Sequence, residues 1–294
     1  MDMNLIKLFE NFNSEDRCRE LLELLRWPSG VCCLRCGNVS VSKLEKRNQY
    51  ECNGCRYQFS ATAGSVFHDS HLPLWKWFLA TYLICEGKKG VSANQIKRTL
   101  GISYKTAWYL CHRIREAMKS DASEKLKGII EADETFVGGK YDRRRKRGTY
   151  EKPCVVGVIQ RGGEVRAEKA PSRGARALAA YIRESVEPGS QLMTDEYAGY
   201  DAVGKDYDHT KVAHSKLQFV EGLTHTNSIE NFWSLFKRGL VGSFHKVSEK
   251  HLDRYLDEFT YRFNGRDDGQ LFQRTLRNLV NGKTLTFEQL TKAA

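Results

Sequence analysis

Apolar residues recur at Ile229, Phe232, Trp233, Phe236 and Leu240, the three- and four-residue spacing of one helical face. Glu230 and Lys237, seven apart, fall on one flank of that face. Asn227 suits an N-cap with Glu230 at the third helical position, so a capping box is one reading of that glutamate. The same period predicts helices over residues 14–26, with Ser14 as cap, over 74–86, and along Leu252, Tyr255, Leu256, Phe259 and Phe263. A last helix over 270–281 stops at Gly282. Residues 92–100 and 103–118 form two short helices across Gly101, with Ser103 capping the second.

From Gly128 the pattern changes to alternation. Residues 128–136 read as a strand that turns Glu131, Asp133 and Thr135 one way and Ile130, Ala132 and Phe136 the other. Residues 154–161 and 164–170 form a hairpin at Gly162-Gly163. A helix over 174–184, a short strand over 191–194 ending at Asp195, a helix through 197–203 and a strand over 210–214 follow. This order predicts an α/β domain built on a mixed sheet, with its first and fourth strands adjacent. Asp133 and Asp195 then meet, and Glu230 approaches from the covering helix.

Clustered carboxylates repel one another, so such a site calls for divalent cations. Oxygen ligands select Mg²⁺ or Mn²⁺, and two such ions about 3.5 to 4 Å apart serve phosphoryl transfer. Lys237 can hold a phosphate as a point charge. Each aspartate is followed by a glutamate, so Glu134 and Glu196 are competing ligands, and strand alternation groups Asp133 with Glu131.

The cysteines add a second chemistry. Cys33-x-x-Cys36 and Cys52-x-x-Cys55, with fifteen residues between the pairs, have the spacing of a four-thiolate zinc ribbon. Gly37 and Gly54 stand at the two knuckles. Cys18, Cys85, Cys111 and Cys154 read as buried thiols, and Cys32 lacks the regular spacing. With 47 Lys+Arg against 36 Asp+Glu, a net +11, the chain favours a polyanionic partner. The helix pair around Gly101 has the layout of a helix-turn-helix, whose second helix offers Lys105, Thr106, Tyr109 and Arg113 to double-stranded DNA. The basic run Arg143, Arg144, Arg145, Lys146, Arg147 suits a phosphate backbone. No leader or membrane-spanning run is visible, which predicts a cytoplasmic protein.

The zinc ribbon, the helix-turn-helix and three sequences together carry a resemblance. The sequences are Ala132-Asp133-Glu134-Thr135, Thr194-Asp195-Glu196-Tyr197 and His225-Thr226-Asn227-Ser228-Ile229-Glu230-Asn231-Phe232-Trp233. They resemble bacterial insertion-sequence transposases of the DDE class, in the ISXO-like group with an N-terminal zinc ribbon, over nearly the whole chain. The resemblance implies an RNase H-like fold and a triad of Asp133, Asp195 and Glu230 holding two Mg²⁺ or Mn²⁺ ions, with Lys237 beside it. It further implies structural Zn²⁺ on Cys33, Cys36, Cys52 and Cys55. The implied activity is cleavage and strand transfer at the terminal inverted repeats, by a dimer or higher assembly on DNA at the bacterial nucleoid. The expected domains are a helix plus ribbon over 1–70, the helix-turn-helix region over 71–122, the catalytic domain over 123–268 and a helical tail over 269–294. A sequence-specific regulator with an inactive RNase H-like domain is the alternative, and a structure-selective nuclease of the same fold is a third; the three acids and Lys237 favour the enzyme.

Overall fold

A computed structural model of the chain describes residues 3–120, 124–138, 152–204, 206–212 and 225–292. Its contacts divide the chain into two units, one of residues 1–118 with 267–294 and the other of 119–266. Among the described residues no helix is long and apolar enough to cross a membrane.

In the first unit, α1 (Leu5–Asn11) precedes α2 (Glu15–Arg26). Ser14 starts α2 by accepting the Arg17 N–H at 3.3 Å, and Glu15 and Asp16 lie in its first turn, where the helix dipole favours negative charge. Three short antiparallel strands follow, β1 (Val41–Leu44), β2 (Gln49–Cys52) and β3 (Gln58–Phe59). Helix α3 (Leu74–Glu86) buries Trp77, Phe78, Leu79, Ala80, Ile84 and Cys85, which explains its apolar character on more than one side. Helices α4 (Ala93–Leu100) and α5 (Tyr104–Glu116) join at Gly101, whose left-handed φ of 60° closes α4.

The second unit is a five-stranded mixed sheet. Its strands are β4 (Ile129–Phe136), β5 (Cys154–Gln160), β6 (Val165–Ala170), then, after α6 (Ala175–Ser185), β7 (Gln191–Thr194) and β8 (Asp208–Lys211). They lie in the order β6-β5-β4-β7-β8. The first three strands pair antiparallel, while β4–β7 and β7–β8 are parallel. Strand β5 is buried along almost its whole length because both its faces are covered. On one side Ile130, Ala132, Val156 and Val158 pack with Leu178, Ile182 and Tyr200. On the other, Val155, Ile159 and Val165 meet α7 (Asn227–Gly239) and α8 (Leu252–Asn264) through Ile229, Phe232, Trp233, Phe236, Leu256 and Phe259. The apolar stripe read along residues 229–236 is thus the seat of α7 on the sheet. Residues 198–203 form a 3₁₀ turn after β7, and the strand expected over 210–214 runs from Asp208 to Lys211, with residues 213 and 214 outside the described residues.

The last helices, α9 (Leu271–Asn281) and α10 (Phe287–Thr291), return to the first unit. Leu276, Leu279 and Val280 are fully buried where α9 packs on α2 and α3, and Phe272 joins Phe12 and Phe78 in an aromatic cluster.

Candidate active site and thiol cluster

Strand β4 alternates as its sequence requires. Glu131, Asp133 and Thr135 face α7, and Glu134 faces the α6 side. The parallel register pairs Ile129 with Gln191 and Glu131 with Met193, so one further step along both strands brings Asp133 beside Asp195, just past the end of β7. Glu230 comes from the first turn of α7. Asp195 and Glu230 both lie close enough to Asp133 for their charges to act on it. Burial and the charges of Glu134, Asp195 and Glu230 push the Asp133 carboxyl from 3.8 up to about 7, against a backbone N–H that lowers it. An open pocket of about 460 Å³ is lined by Asp133, Thr135, Glu230, Lys237 and Arg238 among others. Glu230 and Lys237 share its wall, as the seven-residue spacing predicts.

Two short contacts orient the acids. The Tyr197 N–H donates to Asp195 Oδ1 at 3.0 Å, and the Thr226 hydroxyl donates to Glu230 Oε1 at 2.9 Å. The capping-box reading of Glu230 is corrected here. The cap position is Thr226, Asn227 is already helical, and Thr226 turns its hydroxyl to the Glu230 carboxylate instead of to the helix N–H groups.

Glu134 also lines the pocket, but its carboxylate oxygens are held by other partners. Its Oε1 accepts from Arg173 Nε at 2.7 Å and Nη2 at 2.5 Å, and its Oε2 accepts from the Tyr200 hydroxyl at 2.7 Å. Burial and the Glu134 charge raise Tyr200 far above the ordinary tyrosine range, keeping it a donor. The Arg173 guanidinium in turn lies 3.7 Å over the Tyr197 ring. Glu196 is exposed.

Glu131, which strand alternation only grouped with Asp133, takes a role that sequence reasoning did not assign. It is fully buried, and it accepts from Arg161 Nε at 2.7 Å, Ser228 N–H at 2.8 Å, Ser228 hydroxyl at 3.0 Å and Ile229 N–H at 3.1 Å. Apart from its facing Asp133's side of the strand, no local signal marks it, because its helix partners lie 97 and 98 positions away.

In the first unit the four thiols of Cys33, Cys36, Cys52 and Cys55 lie within 4.8 Å of one another, and among the described residues theirs is the one such group of possible metal ligands that tight. The Cys33–Cys55 and Cys36–Cys52 sulfurs are 3.6 Å apart, near the roughly 3.8 Å edge that four Zn–S bonds of about 2.3 Å define in a tetrahedron. Backbone N–H groups of Arg35 and Cys55 point at the sulfurs of Cys33 and Cys52, each at 3.4 Å. The knuckle glycines behave differently from one another. Gly37 takes the left-handed turn of the first knuckle at φ 73°, but in the second that turn falls on Arg56 at φ 60°. Gly54 serves close packing instead, since a Cβ there would meet Asn38 Nδ2 at 2.6 Å. Cys36→Ser is expected to reduce bound zinc from about one ion per chain to near none, read by atomic absorption, because a hydroxyl is a poor fourth ligand. Undiminished zinc would mean that this thiol is not a ligand.

The expected groove contacts divide. Lys105 and Thr106 are exposed at the start of α5, where Ser103 accepts the Thr106 N–H at 3.1 Å. Tyr109 and Arg113 are corrected. The Tyr109 hydroxyl donates to the Leu285 carbonyl at 2.6 Å, and Arg113, only 3% exposed, lies between the Trp77 and Tyr109 rings and donates to the His68 carbonyl at 2.7 Å. Both hold the first unit together. Arg143, Arg144, Arg145 and Arg147 lie outside the described residues.

Residues 125–264 match the ISXO2-like transposase domain family, and residues 13–58 match the transposase zinc-ribbon domain family. A protein in transposable element ISH50 of Halobacterium salinarum is 30% identical over 275 residues, spanning 86% of this chain and 92% of that one. A transposase-like protein of Haemophilus influenzae is 34% identical over 113 residues, 38% of this chain and 89% of that one. The Mos1 Strand Transfer Complex structure aligns over 69% of this chain and 74% of its own at 11% identity, with a TM-score of 0.29, too slight a likeness to bear on the fold. By its matched domains and its near full-length relative, the chain belongs to the ISXO2-like transposases that carry an N-terminal transposase zinc ribbon.

Proposed function

We propose that this chain cuts DNA at the terminal inverted repeats of an insertion sequence and joins the cut ends to target DNA, in a reaction that depends on divalent metal. The observation that supports the reading is the Asp133 carboxyl on β4, raised to about 7 by burial together with the charges of Glu134, Asp195 and Glu230. Carboxylates whose charges bear on Asp133 in this way fit Mg²⁺ or Mn²⁺, the hard cations that oxygen donors select. The five-stranded mixed sheet is read as the RNase H-like domain that the resemblance implies.

Asp133, Asp195 and Glu230 would hold two such ions, which when bound activate a hydroxyl nucleophile and stabilise charge on the attacking and leaving oxygens. The chain's own groups do the rest. Lys237 offers an ammonium to a phosphate in the pocket, with Arg238 beside it. Thr226 and the Tyr197 N–H keep the Glu230 and Asp195 carboxylates aimed. Water attacks the phosphodiester at the transposon end, leaving a 5′-phosphate on one side and a 3′-hydroxyl on the other; that 3′-hydroxyl then attacks a target phosphodiester in the same pocket, joining to its phosphorus as the target's own 3′-hydroxyl leaves. Helices α4 and α5 are read as a helix-turn-helix that presents Lys105 and Thr106 to the major groove. Arg143, Arg144, Arg145 and Arg147 would follow the backbone, and the ribbon, with Zn²⁺ on its four thiols, would add to end recognition. Because two ends must be joined, the working form is a dimer or higher assembly on DNA, in the cytoplasm at the nucleoid.

The test is incubation of the purified protein with labelled DNA carrying the element's ends, in Mg²⁺ or in EDTA. End-specific nicks and joined products only in Mg²⁺ are expected. Binding without cleavage in either Mg²⁺ or Mn²⁺ would move the reading to a DNA-binding regulator.

A further inference from the structure

We infer that Glu131 is a positioning residue that sets the distance between Asp133 and Glu230 by capping, from the strand, the helix that carries Glu230. This rests on the reading of those acids as metal ligands. Helix α7 starts at Asn227, and its first N–H groups need acceptors that the helix cannot supply. The Thr226 hydroxyl is turned to Glu230, and the acceptor for the Ser228 and Ile229 N–H groups is Glu131 Oε2, at 2.8 and 3.1 Å. The other oxygen accepts from the Ser228 hydroxyl at 3.0 Å and from Arg161 Nε at 2.7 Å, and lies 3.2 Å from His225 Nδ1. Arg161 Nη2 also donates to the His225 carbonyl at 2.7 Å, which ties down the residue just before the cap.

These bonds join the two halves of the site over very short chain distances. Asp133 is two residues beyond Glu131 on the same strand face, and Glu230 is two residues beyond Ser228 in the same helical turn. A fully buried carboxylate is costly unless its lone pairs are satisfied, and here charge-assisted bonds and the positive end of a helix satisfy them. The arrangement is therefore a rigid link between strand and helix, and the carboxylates that receive metal inherit its precision. The proposed role is analogous to that of outer partners that orient metal ligands, whose loss weakens metal affinity or activity by roughly 10- to 100-fold.

The test uses the full zinc-loaded chain and measures Mn²⁺ binding by EPR in the absence of DNA, together with DNA retention in EDTA, well below the melting temperature of each variant. Glu131→Gln keeps the shape but removes the charge and presents an amide to donors. It is expected to weaken Mn²⁺ affinity by about tenfold or more while leaving DNA retention in EDTA unchanged, a split that general loss of structure would not produce. Ser228→Ala, which removes only the hydroxyl contact, is expected to weaken Mn²⁺ by about two- to fivefold. Asp133→Asn serves as the reference and is expected to abolish tight Mn²⁺ binding. Wild-type Mn²⁺ affinity in Glu131→Gln, with binding lost in Asp133→Asn, overturns the positioning role and leaves the metal reading standing. If Glu131→Gln does not fold, wild-type affinity in Ser228→Ala does the same. Undiminished Mn²⁺ binding in Asp133→Asn overturns both.

Discussion

Asp133→Asn is expected to lower metal-dependent nicking by about a thousandfold or more, the scale of losing several kcal/mol of transition-state stabilisation, and at the same time to stabilise the metal-free protein at pH 8. The second half follows from linkage. The Asp133 carboxyl is raised from 3.8 to about 7 in the folded chain, so between those values the folded state holds a proton that the unfolded state has released. Stability from this group is therefore intact below about pH 4 and is lost as pH rises to about 7. Above that the wild type carries a penalty of up to about 4 kcal/mol, which a neutral asparagine avoids. In EDTA the melting temperature of the variant should exceed that of wild type at pH 8, with the two converging near pH 4. Added Mg²⁺ should raise the wild-type value and leave the variant nearly unmoved. Equal melting temperatures at pH 8 in EDTA would show that burial and the neighbouring acids do not raise the Asp133 carboxyl.

Gly157→Ala should damage both stability and catalysis without touching an acid. Gly157 is the strand partner of Asp133, and the Trp233 indole lies directly over it. An added Cβ would stand 2.7 Å from Trp233 Cζ2, 2.8 Å from its Cη2 and 3.2 Å from the Arg166 carbonyl. The ring cannot swing aside, since it is buried between Phe232 and Phe236. Helix α7 must lift, at an overpacking cost of about 1 to 3 kcal/mol. Glu230 sits one turn before Trp233, so a shift on the order of 1 Å reaches it and should cost about a hundredfold in nicking rate. A lower melting temperature with wild-type nicking would show that the seat of α7 does not govern Glu230.

The alternating and helical periods made most elements of the second unit readable. The alternation of Glu131, Asp133 and Thr135 against Ile130 and Ala132, and the stripe from Ile229 to Phe236, each report a face that one neighbour covers. The adjacency of β4 and β7 followed from the order of elements, because a crossover returns a parallel strand to the open side of the first. What stayed hidden depends on partners far along the chain. Tyr109 and Arg113 look like groove contacts on α5 until Leu285, Phe287, Trp77 and His68 are found against them, and no local period announces that second burial. Glu131 escaped for the same reason, its donors coming from Arg161 and the start of α7. In the ribbon the spacing of the thiols was legible, but the left-handed turn of the second knuckle was not, since it falls on Arg56, a residue type that does not announce that conformation.

The return of α9 to α2 and α3 orders events during synthesis. Residues 1–118 leave the ribosome without Phe272, Leu276 and Leu279, and all of residues 119–266 must be made before those side chains arrive. The sheet unit therefore has its whole sequence in hand first, while the earlier-made unit waits with an open core. A premature stop between Arg266 and Leu271 would leave the sheet-bearing unit complete and strip the ribbon-bearing unit of its filling.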